Sequence, residues 1–233
     1  MSRYFLITVL TLSAVLFSEN WFAKGIDAYQ KGFMKQAIEY FGRSVQKNPD
    51  FAEGYYNLGI AYVKNGDIDE GITCYNQAIA INSKYVGAYY NKGLAYRKKG
   101  YYNQAIECYL KAVEIDPAFD PAYNSLGYAY QQINDYEEAA EYYQKAIKVN
   151  PTNADAHNNL GTTLFAQGLV ELAVSYYLKA INLDKNHAEA NYNAGIAYES
   201  LNKRDLNLQY TKKAAQLGHK EARYYLNRKQ IKW

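Results

Sequence analysis

Three histidines, two cysteines and a scatter of carboxylates are the groups in this 233-residue sequence that could make or break bonds. His157, His187 and His219 stand too far apart for the local ligand spacing of a zinc site, where paired ligands lie a few residues from each other. Asp67, Asp69 and Glu70 follow a break at Asn65-Gly66-Asp67. Their position suits first-turn charges facing a helix N-terminal dipole better than calcium ligation. The chain has no phosphate-binding Gly loop with its lysine, no G-x-G-x-x-G after a strand, no H-E-x-x-H and no C-x-x-C-H. The expectation is therefore no catalytic residue, no metal and no cofactor: a protein that is not an enzyme. What does recur is the amide. Asn57, Asn91, Asn159 and Asn193 are separated by 34, 68 and 34 residues. Each side chain offers a donor and an acceptor, enough to grip a peptide backbone without reading its sequence. Tyr56, Tyr90, Tyr128 and Tyr192 stand near them, with Lys64, Arg97 and Lys98. Aromatic anchors beside Arg are typical of binding hot spots.

The elements that position these residues are visible in their spacing. Gly25, Gly59, Gly93, Gly127, Gly161 and Gly195 are each 34 apart. An aromatic column keeps the same step (Phe41, Tyr75, Tyr109, Tyr143 and Tyr177, then Thr211), as does a small-residue column from Ser44 through Ala78, Ala112, Ala146 and Ala180 to Ala214. At ~100° per residue, Tyr55, Leu58, Gly59 and Tyr62 fall on one helix face, and Ala105, Tyr109 and Ala112 form a small-large-small stripe on the next helix. A glycine on such a face costs roughly 1 kcal/mol of helix propensity, so it implies a close approach of another helix. One helix pair cannot bury both stripes, so the units must stack. The opposite face of each first helix is then free for binding. Its charges predict a polarity: Lys64, Arg97 and Lys98 early, Asp155, Glu189 and Glu199 late. Cys74 and Cys108 occupy one column of adjacent units. Packed helices lie about 8–10 Å apart, beyond the ~7 Å Cα separation that a disulfide tolerates, so both thiols are expected free.

The pattern resembles the tetratricopeptide-repeat (TPR) family, whose motif runs W-x2-L-G-x2-Y…A-x3-F…P over the same period. "YYNLG" with Tyr62, then Gly71, Ala105 or Ala139, and the aromatic and alanine columns carry the resemblance, over roughly residues 18–221. It implies an all-α fold: a right-handed α-solenoid of about six TPR helix pairs, its concave face built from the first helices, with a C-terminal capping helix. The units fall at 18–51, 52–85, 86–119, 120–153, 154–187 and 188–221, followed by a basic tail at 222–233. In some members asparagine ladders hold extended peptides. The family's carboxylate clamp for acidic chaperone tails is not reproduced: Phe22, Ile26, Gly87 and Asn91 replace four of its five positions and only Asn57 matches. The resemblance thus implies a non-enzymatic protein–protein interaction module that binds a peptide or protein segment in the concave groove. The alternative is a self-associating scaffold that uses repeat ends or the convex face.

Composition adds bounds. The net charge is +3 and the charged fraction 21%, so no strong field points to nucleic acid or to a membrane surface. Tyrosine is abundant at 27 residues, and the repeat columns account for most of it. The N-terminus departs from the repeat. Residues 4–17 form an uncharged apolar run after Arg3, shorter than the ~18 residues of a membrane span. It fits the apolar region of an export signal covering residues 1–17, an uncleaved anchor, or a hydrophobic cap on the first repeat. Export to a periplasmic or extracellular site, or anchoring there, is the expected localisation, with a role in envelope or secretory assembly.

Overall fold

The computed structural model describes residues 20–233. Among them are thirteen α-helices and no strand: α1 (Trp21–Gln30), α2 (Met34–Lys47), α3 (Ala52–Asn65), α4 (Ile68–Ile81), α5 (Val86–Lys98), α6 (Tyr102–Ile115), α7 (Asp120–Gln132), α8 (Tyr136–Val149), α9 (Ala154–Ala166), α10 (Val170–Leu183), α11 (Ala188–Ser200), α12 (Arg204–Gln216) and α13 (Lys220–Arg228). The chain forms two compact units, the first ending at Ala95 and the second running from Tyr96 to Trp233. Helix α5 contributes to both. The all-α fold of paired helices is the one the sequence implies. The apolar run of residues 4–17 lies outside the described residues.

Four pairs close by the same interlock. The glycine of the first helix receives the ring of the second: Gly25 meets Phe41 and Gly59 meets Tyr75 in the first unit, and Gly127 meets Tyr143 and Gly161 meets Tyr177 in the second. A Cβ at Gly127 would lie 2.7 Å from two ring carbons of Tyr143, closer than van der Waals contact allows. Tyr75, Tyr109, Tyr143 and Tyr177 are nearly inaccessible to solvent. Burial pushes the phenols of Tyr75 and Tyr143 far above their ordinary range and that of Tyr177 up to about 12. The alanines of the small column (Ala78, Ala112, Ala146, Ala180, Ala214) are fully buried.

The last complete pair departs from this plan and compensates. Asn207 and Thr211 stand where earlier pairs carry Ala or Gly and an aromatic ring. Both are buried. Thr211 fills the space over Gly195, and Asn207 donates its amide to the Gly195 carbonyl at 3.0 Å. A hydrogen bond there satisfies polar groups that would otherwise be costly to bury.

The turn inside each pair needs a left-handed residue. Gly66 ends α3 at φ +107°, its amide bonding the carbonyls of Tyr62 and Val63. Asn134 takes that place between α7 and α8 at φ +62°, which asparagine tolerates better than most non-glycine residues. The basic C-terminal helix begins at Lys220. Ala222 and Leu226 pack it against Ala214 and Ala215, and the tail after it folds back, with the Trp233 indole donating to Asn227 at 3.2 Å.

Candidate functional site

In the first unit, the face of α3 and α5 carries Tyr56, Asn57, Lys64, Tyr90 and Asn91. Asn91 donates its amide to the Tyr56 hydroxyl at 2.7 Å. Tyr56 is half-buried, its ring 4.8 Å from that of Tyr85 and 6.2 Å from that of Tyr75. Burial raises its phenol above the ordinary value, partly offset by the Asn91 hydrogen bond. Tyr56 is thus wedged between helices rather than displayed as an open anchor, and Tyr90 is likewise half-buried. Lys64 is exposed. Asn57 donates to the Glu53 carbonyl of its own helix at 2.9 Å.

In the second unit the amides join into one chain across three helices. Asn159 on α9 donates to Asn124 on α7 at 3.3 Å. Its own carbonyl accepts from Asn158 at 3.4 Å. Asn158 in turn accepts from Asn193 on α11 at 3.0 Å, and Asn193 also reaches the Thr162 hydroxyl at 3.4 Å. Tyr177 from α10 donates to the same hydroxyl at 3.5 Å. Beside the chain on α7, Tyr128 is exposed, with the Arg97 guanidinium 5.4 Å from its ring centroid. Lys98 is exposed. Tyr192 on α11 is half-buried and stacks on His219 at 4.3 Å.

These bonds follow one rule. An asparagine at the sixth position of a unit donates to the residue 35 before it, the fifth position of the preceding unit: Asn91 to Tyr56, Asn159 to Asn124, Asn193 to Asn158. Asn57 has Phe22 at that distance, which offers no acceptor, and it turns to its own backbone. Asn124 and Asn158 therefore belong to the network although they stand in the period-34 column that elsewhere carries Tyr56, Tyr90 and Tyr192. The signal is a pairing at 35 residues.

The late acids of the expected polarity are partly engaged. Glu189 accepts from His219 Nε2 at 2.9 Å. Asp155 lies 3.2 Å from His187 Nε2, in ion-pair range but without hydrogen-bond geometry. Each of these histidines also caps a helix, with Nδ1 accepting the amide of Ala190 or Ala222. Glu199 accepts from the Tyr225 hydroxyl at 3.0 Å. Gln131 accepts from Tyr143. Asp155, Glu189 and Glu199 nevertheless remain exposed.

Among the described residues, no three His, Cys, Asp or Glu side chains are grouped as a metal site. Cys74 and Cys108 are free and buried. Burial first, and the Glu70 charge second, push the Cys74 thiol up to about 12, so it is protonated and inert as a nucleophile near neutral pH. No helix among the described residues is long and apolar enough to cross a membrane.

A tetratricopeptide-repeat model matches residues 124–187, and a TPR-repeat model matches residues 27–66, 61–100 and 93–134. No curated protein matches the chain by sequence. Among solved structures, the chain is similar to YrrB, a TPR protein with an unusual peptide-binding site, at 25% identity and TM-score 0.65, covering 82% of this chain and all of that one. It is similar to MamA at 31% identity and TM-score 0.65, over 72% of this chain and 98% of that one. Pseudomonas aeruginosa pilF shares the fold, with TM-score 0.75 at 18% identity over 89% and 96% of the two chains.

Proposed function

The chain belongs to the tetratricopeptide-repeat family, and from that premise we propose that it is a non-enzymatic interaction module whose first-helix face in the second unit holds an extended peptide or protein segment. The observation that carries this reading is the amide chain Asn124–Asn159–Asn158–Asn193. Its members hold one another in place, so a ligand meets side chains already oriented, and little rotamer entropy is lost on binding. Asn159 and Asn193 each spend a donor N–H on a neighbouring first helix, whereas Asn57 spends its own on its own backbone. What is left for a ligand is the second N–H of Asn159 and the remaining carbonyl lone pairs, which suit the C=O and N–H groups of an extended strand. Each such neutral bond contributes about 0.5–1.5 kcal/mol net, so affinity needs an apolar anchor as well. Tyr128, exposed and covered on one side by Arg97, supplies it. Arg97 and Lys98 at one end and Glu199 at the other favour a ligand with acidic groups toward α5 and basic or neutral ones toward α11. The similarity to YrrB, which has a peptide-binding site, supports the reading.

The test is selection of peptides on the full chain from a random library, followed by calorimetry. Tyr128→Ala should weaken a selected peptide roughly tenfold or more, as loss of a hot-spot aromatic does. Arg97→Glu should slow association and change its salt dependence, with a smaller effect on dissociation. Peptides that bind both variants like the wild type would place the site elsewhere. The apolar run of residues 4–17 also carries the proposal that the protein is exported or anchored for envelope or secretory assembly. N-terminal sequencing of the native protein decides whether that run is cleaved.

A further inference from the structure

The second unit has a charge asymmetry that its peptide-binding reading does not use. Residues 203–233 carry nine Lys or Arg against two Asp or Glu, a formal +7. The rest of the unit, residues 96–202, carries eight against thirteen, a formal −5. The positive end is also a shaped surface. Ala222 and Leu226 bury one side of α13, and Lys220, Tyr224 and Arg228 repeat at every fourth position on the other. Tyr224 is 68% exposed, more than any other large hydrophobic side chain among the described residues, and Trp233 is 40% exposed nearby in sequence. Lys220, Arg228 and Lys232 make no ion pair with any described residue. The one carboxylate on α13, Glu221, lies 3.4 Å from His219.

The negative part is just as uncompensated where it is most crowded. Glu137 and Glu138 open α8 beside Asp135, and Glu171 opens α10. The hydrogen bond and charge of Asp135 raise the Glu138 carboxyl above its ordinary value, as does the charge of Glu137. Like charges held together gain when cations approach.

We propose that the α13 tip docks on the acidic first turns of the second helices α8 and α10 in a second copy of this chain. Charge complementarity within one sequence argues for this occupant: the chain carries both halves of the contact. Two tips repel each other, and so do two acidic faces, so the contact joins unlike surfaces and runs tip to body. Such heterologous contacts close into rings or propagate as filaments. The cations steer the encounter, and Tyr224 and Trp233 supply the apolar part of the contact.

Sedimentation velocity of the full chain tests this at about 50 mM and about 300 mM salt, a range over which the Debye length shrinks from ~14 Å to ~6 Å. Species larger than a monomer are expected at low salt, with loss to monomer at high salt. A tip variant (Lys220→Glu, Arg228→Glu, Lys232→Glu) and a body variant (Glu137→Lys, Glu138→Lys, Glu171→Lys) should each stay monomeric at low salt. Mixed in equal amounts, the two should associate again, because the body variant's unchanged tip meets the tip variant's unchanged body and the reversed tip meets the reversed body. Circular dichroism checks that each variant folds; if the body variant does not, the salt response of the wild type and the behaviour of the tip variant still decide. A wild type that is monomeric throughout overturns the proposal, as does association that the tip variant retains. Failure of two folded variants to restore association also overturns it. So does a monomer that binds vesicles containing anionic lipid through the tip, which would make the partner a membrane.

Discussion

The asparagines are alike in sequence and unlike in their work. Asn193 joins α11 to α9 through Asn158 and Thr162 in a partly buried setting, whereas Asn57 only bonds the backbone of its own helix. Asn193→Ala leaves acceptors without their donor and should lower stability by about 1–2 kcal/mol. Asn57→Ala removes a local bond that water replaces, and should stay within about 0.5 kcal/mol. Urea denaturation of the two variants beside the wild type measures the contrast, and equal shifts would show that the bonds between helices contribute nothing special. The recurrence of Asn was legible in the sequence. Its commitment was not, because that depends on the residue 35 positions earlier: Phe22 for Asn57, Asn158 for Asn193.

At the scale of the element, the unit is a helix pair locked by a glycine and a ring. Gly127→Ala places a methyl carbon 2.7 Å from Tyr143 ring atoms. Alanine has the better helix propensity, by roughly 1 kcal/mol, yet the overpacking costs about 1–3 kcal/mol. A net loss is expected, seen as a lower midpoint of thermal unfolding. An unchanged or raised midpoint would mean that Tyr143 moves aside freely. The glycine and aromatic columns, and so this lock, were readable from the period alone. The rescue of the last pair was not. Asn207 and Thr211 look like decay of the motif, and only their packing against Gly195 shows a polar version of the same lock.

At the scale of the second unit, most contacts run between helices next to each other in sequence, with fewer between the first helices of successive pairs. The pairs α7 with α8, α9 with α10 and α11 with α12 pack internally and on the next helix along. Stability in such arrays is close to a sum of nearest-neighbour terms. The Gly127→Ala variant should therefore exchange amide hydrogens faster in α7 and α8, less so in α6 and α9, and at wild-type rates in α1 to α3 of the first unit. Mass-spectrometric hydrogen exchange reads this directly. A uniform rise from α1 to α13 would show that the array opens as a single cooperative block.

Residue order by itself determined the helix pairs, their number and their interlocking columns, because helical periodicity and a 34-residue step are translational patterns that a linear string displays. It also placed Tyr128, Arg97, Lys98 and the asparagines on the first-helix face, since angular position on a helix follows from spacing. Tertiary structure decided which of those groups are available. Tyr56 is wedged against Tyr85, Glu189 is held by His219, and Asn124 and Asn158 enter the amide chain. The physical reason is that availability is set across the interface between successive helices. There the side chain one residue beyond a full period decides whether a polar group is satisfied by its neighbour or left for a ligand.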